Sequence, residues 1–177
     1  MSKLVLPAVL LMALATQSHA EEPISRTDVP ASGGAALDAT IGKHRVTVRL
    51  VTAPAPSWWP EWLAVGGWPQ GQPGSHLSEL SVRVDGKEFH VPEDAYEPLF
   101  VVHGADLKPS QDGFVLTVYG SENAEVYTAD FTFDFAVMGL RERLLSMPTG
   151  YGDEERRVYD AGIWQCEREA KASGSAC

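Results

Sequence analysis

Cysteine is nearly absent: of 177 residues only Cys166 and Cys177 carry a thiol. No Cys-x-x-Cys and no Cys/His cluster with zinc spacing can be drawn from two cysteines so placed, which argues against redox and structural-zinc roles. Asparagine occurs once, at Asn123, and is followed by Ala-Glu, so no N-glycosylation sequon exists. Long apolar runs are missing after the first twenty residues, and nothing there approaches the ~20 residues needed to span a bilayer. Nucleophile elbows, Ser-x-x-Lys, His-Glu-x-x-His, Walker and Gly-x-Gly-x-x-Gly loops are also missing. The expectation is therefore a protein that is not an enzyme and holds no cofactor.

What is present begins with an address. Lys3 supplies a positive start, Leu4 to Ala15 is apolar apart from Pro7, and Ser18-His19-Ala20 offers the small residues of a cleavage site. This is the pattern of a cleavable signal peptide, with residues 1–20 removed and Glu21 as the new N-terminus. No cysteine follows the cut to take a lipid, so a soluble periplasmic or secreted bacterial protein is expected, not embedded in a membrane. The mature chain carries thirteen basic and twenty-four acidic residues, a formal charge of −11. That field repels nucleic acid and anionic membrane and attracts cationic partners.

Residues 21–42 are rich in Pro, Gly, Ala, Ser and Thr and read as a flexible leader. A single β-rich domain is expected over 43–177. In its first strand Val46, Val48 and Leu50 alternate with Arg45, Thr47 and Arg49. Leu80 to Val84, then Asp85-Gly86, then Lys87 to Val91 predicts a hairpin with a type I′ turn. Its register sets Val82 on Phe89, Leu80 on Val91, Arg83 on Glu88 and Ser81 on His90. Gly113–Tyr119 and Val126–Phe135 predict two more strands, the second burying Tyr127, Ala129, Phe131, Phe133 and Phe135. Residues 136–147 fit a helix or a strand; the strand is preferred, with Leu140 on Phe135, Leu144 on Phe131 and Arg141 on Asp134. A strand near Arg156–Ala161 and a short C-terminal helix near Glu167–Ala172 follow. Together these predict a mainly β fold, a small antiparallel β-sandwich or open barrel, with a long Trp/Pro/Gly-rich loop.

That loop, Pro54–Gly74, holds Trp58, Trp59, Trp62 and Trp68. Indole faces suit sugar rings or a protein partner, making these four the candidate ligand-binding residues; the alternative is a flap folded over the sheets. The mature histidines, His44, His76, His90 and His103, show no metal spacing and read as surface or turn residues. Glu93, Asp94 and Glu97 do not match a calcium loop and read as helix-cap or solubility residues. Cys166 and Cys177, joined by a flexible Ser-Gly-Ser stretch, are expected to form a terminal disulfide in an oxidising compartment.

Three functions remain in view. The first is a binding protein, such as an inhibitor or immunity-type partner of a basic protein. The second is a glycan-binding module on the Trp loop. The third is an enzyme whose site assembles from distant residues.

Overall fold

In the computed structural model, residues 22–57, 74–122, 125–147 and 154–159 are described. They form β1 (Ser25–Asp28), β2 (Gly33–Ile41), β3 (His44–Pro54), β4 (Ser75–Val84), β5 (Lys87–Phe89), α1 (Glu93–Tyr96), β6 (Val102–Pro109), β7 (Gly113–Glu122), β8 (Glu125–Asp134), β9 (Gly139–Ser146) and β10 (Glu154–Val158). The architecture is mainly β. A six-stranded sheet in the order β1-β6-β7-β8-β9-β10 faces a four-stranded sheet in the order β2-β3-β4-β5, every pairing antiparallel and neither sheet closing into a barrel.

Alternation puts one face of each strand inside. Val46, Val48 and Leu50 of β3 with Leu80, Val82 and Val84 of β4 lie in one buried cluster with Ala105, Leu107, Phe114, Leu116, Val118, Ala129, Phe131 and Phe133 of the larger sheet. Phe114 and Phe133, opposed across β7 and β8, stack with centroids 4.9 Å apart. Gly120 has a comparable reason: a Cβ there would run into the buried ring of Tyr127, directly opposite it on β8, whose hydroxyl donates to the Phe100 carbonyl at 2.6 Å. Among the described residues no helix is long and apolar enough to cross a membrane.

The expected flexible leader is corrected over most of its length, because residues 25–28 and 33–41 are strands. β2 does alternate, Ala35, Leu37, Ala39 and Ile41 facing inward against exposed Gly34, Ala36, Asp38 and Thr40. Alanine and glycine at five of its nine positions leave that period with little hydrophobic amplitude. Pairing of its whole length with β3, from Ile41↔His44 to Gly33↔Thr52, supplies what propensity does not.

The hairpin forms with Val82↔Phe89, Arg83↔Glu88 and Val84↔Lys87, and Asp85 and Gly86 take φ of 52° and 78°, the positive pair of a type I′ turn. Asp85 does more than tolerate that conformation. Its carboxylate accepts from the Arg45 backbone N–H at 2.9 Å and meets His44 Nδ1 at 2.7 Å. The hydrogen bond with His44, followed by that from Arg45, holds the carboxyl below its ordinary range. Past Phe89 the expected Ser81–His90 and Leu80–Val91 pairs do not form. His90 instead makes a parallel bridge to Gly139, accepting from Leu140 N at 3.3 Å and donating to the Met138 carbonyl at 3.4 Å, which ties the two sheets together at this side. Gly86→Val is expected to lower the urea midpoint by more than the ~1 kcal/mol typical of a surface substitution, since a β-branched residue is strained at positive φ.

Residues 139–146 are a strand, as preferred, but its register is corrected. Phe131 faces Arg143, not Leu144, and Phe133 faces Leu140. The turn over 135–138 places Met138 at φ 55°, and a bulge between Thr132 and Phe133 accommodates Arg141 as an extra residue. The bulge sets Glu142 opposite Thr132 on the outer face. Its cost is an arginine, Arg143, turned into the interior. β10 spans Glu154–Val158, slightly ahead of the expected Arg156–Ala161. The expected C-terminal helix near 167–172 lies outside the described residues, and the single described helix is α1.

Candidate functional site

The run Glu93-Asp94-Ala95-Tyr96-Glu97 becomes one helical turn because Pro92, fixed in an extended conformation, starts it and Glu97 N–H closes it onto the Glu93 carbonyl at 2.8 Å. Ala95 packs inward and is fully buried, anchoring the turn to the core. Tyr96 is half-buried between this turn and β4. Its hydroxyl is pushed above the ordinary tyrosine range first by burial, then by the charges of Glu93, Glu79 and Glu97, while a backbone hydrogen bond at Leu80 opposes the shift. Glu79, from β4, is therefore brought beside acids fourteen or more residues away in sequence. Asp94 is engaged differently, meeting Arg157 Nη1 at 3.5 Å.

Glu79 also borders a groove of about 220 Å³ on the outer face of the four-stranded sheet, lined by Thr47, Arg49, Glu79, Ser81, Arg83 and Glu88. Sheet geometry explains it: Ser81 and Thr47 are short where their neighbours are long, so the floor is hydroxyl and the walls are charged.

On the outer face of the larger sheet, Arg26, Asp106, Thr117, Asp130, Leu144 and Arg156 stand in one cross-strand row. Asp106 is fully buried there. It receives a two-pronged bond from Arg26, Nε to Oδ1 at 2.6 Å and Nη2 to Oδ2 at 2.9 Å, and a third from the Tyr119 hydroxyl at 2.6 Å. The hydrogen bond from Arg26 is the main reason its carboxyl lies below the ordinary range, burial opposing and the Tyr119 bond assisting. Tyr119 in turn is pushed up to about 12, first by burial and then by its bond to Asp106. This cluster fastens the short edge strand β1 to β6. A depressed folded pKa means stabilisation that is complete above the unfolded value of about 3.9 and is lost as pH falls through the folded value. Asp106→Asn is thus expected to lower stability at neutral pH, with the gap from the parent narrowing below about pH 4 in urea melts taken across pH.

Arg143 is likewise fully buried. Its Nη1 donates to the Ala95 carbonyl at 2.9 Å and its Nη2 lies 3.1 Å from Glu155 Oε1 on β10. Glu155 also holds Arg157. This chain of charges connects α1, β9 and β10.

Trp58, Trp59, Trp62 and Trp68, and both cysteines of the expected disulfide, lie outside the described residues. The histidines are dispersed: His44 stacks on Phe135 with centroids 4.3 Å apart, His76 lies near Phe100, His90 is in the sheet-to-sheet bridge, and His103 Nδ1 meets the Tyr119 carbonyl at 2.9 Å. Asp134 closes the turn after β8, accepting from Ala136 N at 2.7 Å and Arg141 Nη1 at 2.9 Å. Among the described residues no three His, Cys, Asp or Glu side chains are grouped so as to hold a metal ion. Tyr96 and Glu79 were not singled out by sequence reasoning. An aromatic inside an acidic run was a usable signal for Tyr96, whereas Glu79 joins it only through packing. No protein-family model, curated protein or solved structure matches the chain. What the fold and surface define is a class, an antiparallel β-sandwich with polar outer faces and an acidic corner at α1.

Proposed function

We propose that this is an exported, non-enzymatic binding protein that docks a cationic protein partner on the acidic surface around Tyr96, as an inhibitor or immunity-type protein would. The observation that carries the reading is the half-buried Tyr96 in the acidic turn α1, its hydroxyl pushed up by burial and by the charges of Glu93, Glu79 and Glu97. A rigid aromatic anchor rimmed by carboxylates suits a lysine or arginine side chain, which gains both ring-face and ion-pair contact. The formal charge of −11 after removal of residues 1–20 would speed encounter with a basic partner and make the rate fall with salt. Support for a non-enzymatic role comes from the buried ionisable groups: Asp106, Asp134 and Arg143 are each engaged in holding strands or turns. Export rests on the signal-peptide pattern of residues 1–20.

Pull-down from a periplasmic extract of its own host, at low and high salt, tests the reading when run beside a Glu79→Lys/Glu93→Lys double variant. A basic protein captured at low salt, released at high salt and missed by the variant is the expected result. Equal capture by parent and variant would remove the acidic surface from the account. Capture of sugar polymers by both would favour the glycan-binding alternative on the Trp loop.

A further inference from the structure

A β-sandwich of two open sheets has four outer edges, and natural proteins protect such edges because unpaired backbone groups template association. Three are protected here. β1 is four residues long and lies between Pro23 and Pro30. β10 is five residues long, and four of them are charged. β5 has three residues and is closed by the His90–Gly139 bridge. β2 has none of these devices. It runs nine residues, pairs with β3 without a bulge, has no partner strand on its other side among the described residues, and carries one charge, Asp38.

We infer that the β2 edge is a homodimer interface, two copies joining β2 to β2 antiparallel about a two-fold axis through Leu37 to make a continuous eight-stranded sheet. An isologous contact of this kind needs a self-complementary strand, and β2 is one. Centring on Leu37 pairs the whole strand, Gly33 opposite Ile41 of the second copy and Ala35 opposite its Ala39, inward residues meeting inward residues. A one-residue slip would turn core side chains outward, and centring on Asp38 would set the two carboxylates against each other.

Charge favours the same register independently. Arg49 neighbours Ala36 across β3 and β2, and it makes no ion pair among the described residues. With Leu37 at the centre, Ala36 of one copy lies opposite Asp38 of the other. Arg49 then stands two strands, about 10 Å between Cα atoms, from that carboxylate with only an alanine between, within the combined reach of the two side chains. Asp38 has an oxygen to offer, because the Thr47 hydroxyl at 2.7 Å and Arg45 Nη2 at 3.9 Å both approach Oδ1. By symmetry the pair forms twice.

Sedimentation equilibrium of the mature chain, from low micromolar to submillimolar concentration and with a reductant present to eliminate links through Cys166 or Cys177, should show a reversible monomer–dimer equilibrium. Hydrogen exchange should show amide protection in 33–41 that grows with concentration. Ala36→Glu, on the exposed face and set against Asp38 of the second copy, should leave the melt at monomeric concentrations almost unchanged and abolish the dimer, and Arg49→Gln should weaken it about tenfold, while Glu88→Lys at the protected β5 edge should leave it unaltered. A monomer at every concentration overturns the inference. So does a dimer that withstands Ala36→Glu, or one that disappears with reductant.

Discussion

Phe131→Ala is expected to cost about 3–5 kcal/mol, a large share of the ~5–15 kcal/mol by which a domain of this kind is stable, and Thr132→Ala next to it less than about 1. Phe131 is fully buried, opposite Leu116 on β7 and Arg143 on β9, whereas Thr132 looks outward between Val115 and Glu142. Truncation removes a ring from the middle of the larger sheet's inner face, where backbone pairing on both sides keeps neighbours from collapsing into the space. Urea denaturation of the two variants reads the difference directly. Equal costs would mean that both faces of β8 are buried and that the register described here is wrong.

The second large effect belongs to Arg143. Arg143→Ala is expected to cost about 3–5 kcal/mol, because it opens a cavity beneath α1, strands the Ala95 carbonyl and strips Glu155 of one partner. Arg143→Met, which keeps most of the volume while giving up the charge and the bonds to Ala95 and Glu155, should cost less than half as much, the cavity being the larger part of the loss. Glu155 is still partly exposed and retains Arg157, so it is not left as an isolated buried charge. Thermal or urea melts of the pair decide whether the guanidinium matters as filler or as a hydrogen-bonded charge. A methionine variant as unstable as the alanine one would assign the stability to the Ala95 and Glu155 contacts.

Much of the fold was legible because strands with one wet face must alternate. The Phe131 strand alternates with full-sized rings, and the Asp85-Gly86 turn supplies its own chemistry, so both were readable locally. β2 follows the same rule with alanine and glycine, too small to raise the pattern above that of a linker. β9 was readable as a strand, yet its register was not, since a one-residue bulge at Arg141 leaves no mark on hydrophobic spacing. The same limit applies to the candidate site: Tyr96 sits in a visible acidic run, but Glu79 reaches it only because β4 passes beneath α1.

By itself, then, the sequence determined the β class, the inward residues of β3, β4 and β8, the type I′ turn and the acidity of the chain. These depend on contacts between near neighbours or on composition. Tertiary structure alone decided that the leader joins two different sheets, that Asp106 is sealed by Arg26 some eighty residues earlier, that Arg143 is interior and that β2 ends its sheet among the described residues. Each of those depends on which segments meet across the sandwich, and pairing energy between distant strands is written in no single stretch of chain.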